Sequence, residues 1–156
     1  MPRPPPIQPV TLTVTPWTAG TRRGATIEAR DAASTRIGRL HVEPCLHADC
    51  ADDLAAVARH LAPAPPPGQA LAVTLADVRP AWTGRGVGVE LYATAIWWAT
   101  RRAGLPLVAD ACCGSVTSPE ARRVWRSVRL AKVAFVHGLA AVWLGPDLRA
   151  SRTMVL

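Results

Sequence analysis
The sequence predicts a single layered domain of the α/β (α+β) class, with helices packed against a mixed sheet. Three observations carry that prediction. Short stretches in the first third of the chain alternate apolar and polar residues as strands do. The middle of the chain, from Ala70 to Asp110, reads strand, turn, helix, strand. With 156 residues, 49% of them hydrophobic, the chain is long enough to bury a core and too apolar to remain wholly disordered.

Residues 1–9 are rich in proline and are expected to be a flexible lead-in, leaving residues 10–156 as the domain. Thr11-Leu12-Thr13-Val14-Thr15 alternates like a strand, as do Ala25 to Ala29 and Arg36 to Val42. Turns are expected at Gly24 and across Asp31-Ala32-Ala33-Ser34. Ala51 to Leu61 reads as a helix: Leu54, Val57, Ala58 and Leu61 share a face, and Asp52 and Asp53 suit the positive end of its dipole. Four prolines between Ala62 and Gly68 mark a surface linker.

A strand is expected from Ala70 to Val78. A helical pattern runs from Val89 to Arg102 and ends at Gly104-Leu105-Pro106. Leu107-Val108-Ala109-Asp110 is a short apolar strand. Ser118-Pro119-Glu120 opens another helix, to about Val128. The serine is its N-cap, the proline takes the first helical position and the glutamate sits near the dipole's positive end. Val133 to Leu144 supplies one or two closing strands around Gly138. Trp97, Trp98 and Trp143 are read as core or as the surface of a homodimer, and Trp17 and Trp82 as loop residues.

Lys and Arg number 18 against 11 Asp and Glu, a net charge of +7 that favours polyanionic partners such as coenzyme phosphates or nucleic acid. No recognised nucleic-acid-binding motif accompanies the charge, so nucleic acid is not the expected partner. Arg122, Arg123, Arg126 and Arg129 spread around more than one helix face, as solvated charges do, with binding of an acidic partner or of a coenzyme's 3′-phosphate as the alternative. No segment reaches the ~18 consecutive apolar residues of a membrane span. Met1-Pro2-Arg3-Pro4-Pro5-Pro6 lacks the apolar core of a signal peptide.

A cytoplasmic location is therefore expected, with Cys45, Cys50, Cys112 and Cys113 as thiols. Cys45-Leu46-His47-Ala48-Asp49-Cys50 gathers three potential zinc ligands and lacks a fourth. Adjacent residues on a strand point to opposite faces, so Cys112 and Cys113 cannot both complete the set. Small buried side chains are the preferred reading of these cysteines, and no metal is expected.

Gly84, Gly86 and Gly88 fall at alternate positions between the strand and the long helix. Backbone N–H groups there are unshielded by side chains, and the positive end of the helix dipole favours an anion. A cofactor bearing a diphosphate is the expectation.

Two motifs sharpen it. Val78-x-Pro80-x-x-Thr83-Gly84-Arg85-Gly86-Val87-Gly88 resembles the acyl-CoA-binding motif of the GNAT superfamily of N-acetyltransferases. Ser118-x-x-Ala121-x-x-x-Trp125 is similar to that family's Asn-x-x-Ala-x-x-x-Tyr helix. The likeness covers residues 70–130 by motif and the earlier elements by order alone. It implies a mostly antiparallel mixed sheet, splayed where acyl-CoA enters between the strands ending at Val78 and Asp110. It also implies acetyl-CoA as cosubstrate, attacked directly by the amine of a small molecule or protein without a covalent enzyme intermediate. Main-chain groups of Ala76, Asp77 and Val78 would then meet the pantetheine arm. Thr83, Gly84, Arg85, Gly86, Val87, Gly88 and Val89 would meet the pyrophosphate, and Ser118 would add a polar contact. Asp110 becomes the first candidate base, with Asp77 the second, and Glu28 and His41 more distant.

The chain departs from the family pattern at four places, one of them Ser118, which replaces the common Asn. Thr83 stands where Arg or Gln is usual and offers a hydroxyl without charge. Trp125 stands where many members carry a tyrosine as general acid, and an indole N–H does not ionise usefully. Arg129-Leu130 takes the place of a common Gly-Phe. Beside an N-acetyltransferase, these departures keep a non-catalytic acyl-CoA-binding or interaction module in play; a basic nucleic-acid-binding protein ranks third.

Overall fold
The computed structural model describes residues 2–3, 6–45, 50–109 and 117–156. β1 (Pro9–Ala19), β2 (Arg22–Arg30) and β3 (Arg36–Cys45) form an antiparallel meander with the period of two that their sequences show. Leu12, Val14, Ile27, Leu40 and Val42 are buried, while Thr13, Glu28, Arg39 and His41 remain partly exposed on the other face. All three strands run longer than expected. Gly24 is no turn: it lies within β2 opposite Trp17, where a side chain would strike the Trp17 ring and the Val42 carbonyl. Trp17 is accordingly a strand residue, not a loop residue. The reversal falls instead at Gly20, whose φ is 63°.

α1 (Ala51–Ala58) is shorter than its apolar face suggested, closing with tight turns from His60 to Val57 and Leu61 to Ala58. β4 (Ala70–Val78) returns antiparallel to β3. After it come a short turn of 3₁₀ helix (Pro80–Trp82), α2 (Val87–Trp98) and a π turn (Ala99–Ala103), stopped by Gly104 at a φ of 69°. β5 (Leu107–Ala109) runs parallel to β4. α3 (Pro119–Trp125) and α4 (Val128–Ala131) lead to the hairpin of β6 (Ala134–His137) and β7 (Ala140–Trp143) around Gly138. β8 (Ser151–Val155), which the sequence reading lacked, adds to the free side of β1.

The strands make one mixed sheet in the order β6-β7-β5-β4-β3-β2-β1-β8, and β4–β5 is its parallel pair. α2 lies across one face. Leu91, Ile96 and Trp97 pack there with Leu12, Ile27, Leu40, Leu71 and Leu107. α1 covers the other face at the far end, setting Leu54 and Val57 on Ala70, Ala72, Val108, Ala140 and Val142. The strands between the two helices are buried on both faces, which explains their unbroken apolar runs. Trp97, Trp98 and Trp143 all belong to the core beneath α2.

Two further expectations change. Gln8 exchanges backbone hydrogen bonds with Leu156 at 3.1 and 3.0 Å, so the end of the proline-rich stretch is tied to the sheet. Cys45 and Cys50 are each disulfide-bonded, where thiols were expected. That expectation rested on a compartment, whereas a disulfide is decided by where the fold sets the two sulfurs. His47, Asp110, Cys112 and Cys113 lie outside the described residues. Among the described residues, no helix is long and apolar enough to cross a membrane.

One side chain pins α1 to the hairpin. Asp53 Oδ2 accepts the Leu139 amide at 3.2 Å, and Oδ1 pairs with His137 Nδ1 at 2.9 Å. Asp53→Ala should lower the unfolding free energy by about 1 kcal/mol. In urea this would appear as an earlier midpoint with an unchanged slope. A midpoint equal to that of the unaltered protein would show that the tie contributes nothing.

Candidate functional site
Among the described residues β4 and β5 pair over three positions, and the site lies along β4 beyond them. Leu71, Ala72 and Val73 oppose Leu107, Val108 and Ala109. β4 then continues to Val78 with β3 as its one partner among the described strands. At the point of parting the register with β3 slips: His41 opposes Leu75 but Val42 opposes Val73, so Thr74 is the extra residue of a β-bulge. The bulge bends the last part of β4, and Ala76 and Asp77 emerge exposed.

That strand end opens on a cleft of about 470 Å³, the other walls of which come from the turn, α2 and α3. Ala76, Asp77 and Val78 line it from β4, as do Thr83, Gly84, Gly86, Gly88 and Val89 from the turn and the start of α2. Ser118 completes it from α3. Of the residues expected to meet a coenzyme, these nine share one cavity. Arg85 and Val87 do not. The Arg85 guanidinium lies 5.0 Å over the Trp82 ring and donates to Gln8 Oε1 at 2.9 Å. Val87 is buried in the core under the helix. Of the two tryptophans read as loop residues, Trp82 lines the cleft and Trp17 packs over Gly24 in the sheet.

The glycines have a conformational cause. Gly84 and Gly86 take φ values of 78° and 90°, a region where other residues are strained. Gly86 is also the N-cap of α2, and no side-chain hydrogen bond caps that helix. The first amides of the helix, at Val87, Gly88 and Val89, lack carbonyl partners within the helix and point toward its open end. Partial positive charge gathers there.

A full charge stands beside it, from an unexpected source. A Cβ on Gly86 would lie 2.5 Å from Arg129 Nη1, so the Arg129 guanidinium rests directly against the turn. Glu90 holds it there, accepting from Arg129 Nη2 at 2.6 Å. Arg129 thus brings the cation that Thr83 does not.

Ser118 caps α3 as its sequence suggests, its Oγ accepting the Ala121 amide at 3.2 Å. Trp125 is only 3% exposed and is not part of the cleft wall; its indole N–H has no hydrogen-bond partner among the described residues. It packs edge-on to Tyr92, with ring centroids 5.7 Å apart at 73°. Tyr92, the one tyrosine in the chain, lines the cleft from α2. The signal for it was available: four residues beyond Gly88, it shares the helix face that begins at the turn. Glu120 and Arg123 stand opposite in charge along the same cleft. Glu28 and His41 lie on the open face of the meander, where Glu28 accepts from Arg30 at 2.9 Å. No group of three or more His, Cys, Asp or Glu able to hold a metal occurs among the described residues.

The two left-handed glycines should respond differently to alanine. At Gly84 the added carbon meets open space, so Gly84→Ala costs the backbone strain alone, roughly 1–2 kcal/mol. Gly86→Ala must also push Arg129 off the turn, and should lower the thermal midpoint further than Gly84→Ala does. Equal midpoints for the two variants would mean that Arg129 is not held against the turn.

No protein-family model, no curated protein and no solved structure matches this chain.

Proposed function
We propose that the protein is an N-acyltransferase that moves an acetyl group from acetyl-CoA to an amine, of the kind its GNAT-like motifs suggest. One observation carries this reading: the exposed end of β4 and an uncapped helix start with an arginine against it open on the same cleft. An arm carrying amides can add to the edge of β4 as an extra strand does. A diphosphate suits the amides of Val87, Gly88 and Val89 and the guanidinium of Arg129. These two features lie side by side, as the pantetheine and diphosphate of coenzyme A require.

In the proposed reaction the thioester lies beyond Ala76, where β4 and β5 part. The amine nitrogen attacks the thioester carbonyl, the tetrahedral intermediate collapses, and the carbon–sulfur bond breaks. Asp77, or Asp110 as first expected, takes the proton from the amine. The departing thiolate needs a proton, and Trp125 cannot supply it. Tyr92, which lines the cleft from α2 and packs against Trp125, carries the phenol that position 125 lacks. Its proton passes to the thiolate and is replaced from solvent. A cytoplasmic setting suits such a coenzyme, while disulfide bonding at Cys45 and Cys50 argues for an oxidising one.

A second reading, an acyl-CoA-binding protein without catalysis, draws on the withdrawal of Trp125 from the cleft. Calorimetric titration with acetyl-CoA tests what both readings share: saturable binding is expected, and none up to millimolar coenzyme overturns them. Turnover separates the two. With an amine panel and detection of released coenzyme A, Tyr92→Phe should lower kcat about 100-fold while leaving coenzyme affinity unchanged. Full activity in that variant would remove Tyr92 from the reaction, and no turnover with any amine would favour the second reading.

A further inference from the structure
A second cavity, of about 360 Å³, lies around α2 from the cleft, and Val89 lines both. Its walls bring three cations together from separate elements: Arg129 of α4, Lys132 just after it, and Arg152 of β8. Among the described residues the one carboxylate lining it is Glu90, already shared by two of them. Glu90 Oε1 accepts from Arg129 at 2.6 Å and Oε2 from Arg152 at 2.5 Å. Three positive charges against one negative leave two uncompensated in a concave surface, where mutual repulsion is felt most. Arg152 Nε is buried and has no hydrogen-bond partner among the described residues. A latch between β8 and α2 would need Arg152 and Glu90 alone. The excess charge calls for an anion.

A phosphomonoester, at about −1.5 to −2, matches that excess in sign and size. Geometry limits whose phosphate it is. Arg129 rests against Gly86 on the glycine turn and also lines this cavity, so one side chain spans both places. We infer that the cavity binds the phosphomonoester of a nucleotide whose diphosphate lies on the glycine turn. On the coenzyme reading proposed above, on which this inference rests, that group is the 3′-phosphate of coenzyme A. Leu130 and Trp143 give the cavity an apolar floor, which suits the adjoining nucleoside.

The test compares coenzyme A with 3′-dephospho-coenzyme A by calorimetry at low salt. The unaltered protein should bind coenzyme A roughly tenfold more tightly, as expected for a charge-assisted contact. Lys132 is exposed, so Lys132→Gln should fold normally and shrink the preference while leaving affinity for the dephospho form unchanged. Arg152→Gln should do the same, with its thermal midpoint checked alongside. Equal affinity of the unaltered protein for both ligands overturns the cavity assignment and leaves the coenzyme reading intact. A preference that survives both substitutions overturns it too, since the phosphate then lies elsewhere. Binding of neither ligand overturns the coenzyme reading, and this inference with it.

Discussion
Among the described residues the pairing between β4 and β5 covers three residues of each strand, and the site is built on the part of β4 that follows, beyond the bulge at Thr74. Backbone groups in a sheet interior are spent on neighbouring strands. The bulge at Thr74 bends β4 just past the last parallel pair. Upstream of that point β4 belongs to the core, buried on both faces; downstream it belongs to the cleft.

α2 is the element that links core to cleft. Its middle is buried almost all round, because the meander, β7 and α3 approach it from several sides. In its first turn Val87 is buried, but Gly88, Val89 and Glu90 are only partly so, and Gly88 and Val89 line the cleft. Glu90 stands between the two regimes, mostly shielded and bonded to arginines from α4 and β8. A carboxylate in that position satisfies the positive end of the helix and gathers two distant segments around it.

What was legible in the sequence was local. The alternation of Thr11 to Thr15, the Ser118 cap and the glycine turn depend on neighbours within a few residues, and the structure has all three. Tyr92 could be placed by helical period from Gly88, yet its packing against Trp125 depends on the docking of α3 on α2. Trp125 had the correct spacing from Ser118, but a large apolar ring is drawn into the core where a smaller polar one could remain at the surface. Arg129 was read as one of several solvated arginines, since nothing nearby in the chain indicates that it meets Gly86. β8 and the disulfides at Cys45 and Cys50 are likewise consequences of tertiary placement. Gly24 misled for a related reason: its lack of a side chain makes room for Trp17 rather than for a turn.

The position of Arg129 bears on how the protein becomes competent during folding. The glycine turn and α2 can form from contiguous sequence, but the guanidinium against Gly86 arrives only when α4 has docked. Glu90 cannot hold Arg152 until β8 has paired with β1. A chain with its central helix formed and its last third undocked would present bare amides and little charge. The positive charge at the turn is thus complete only when the last third of the chain has docked.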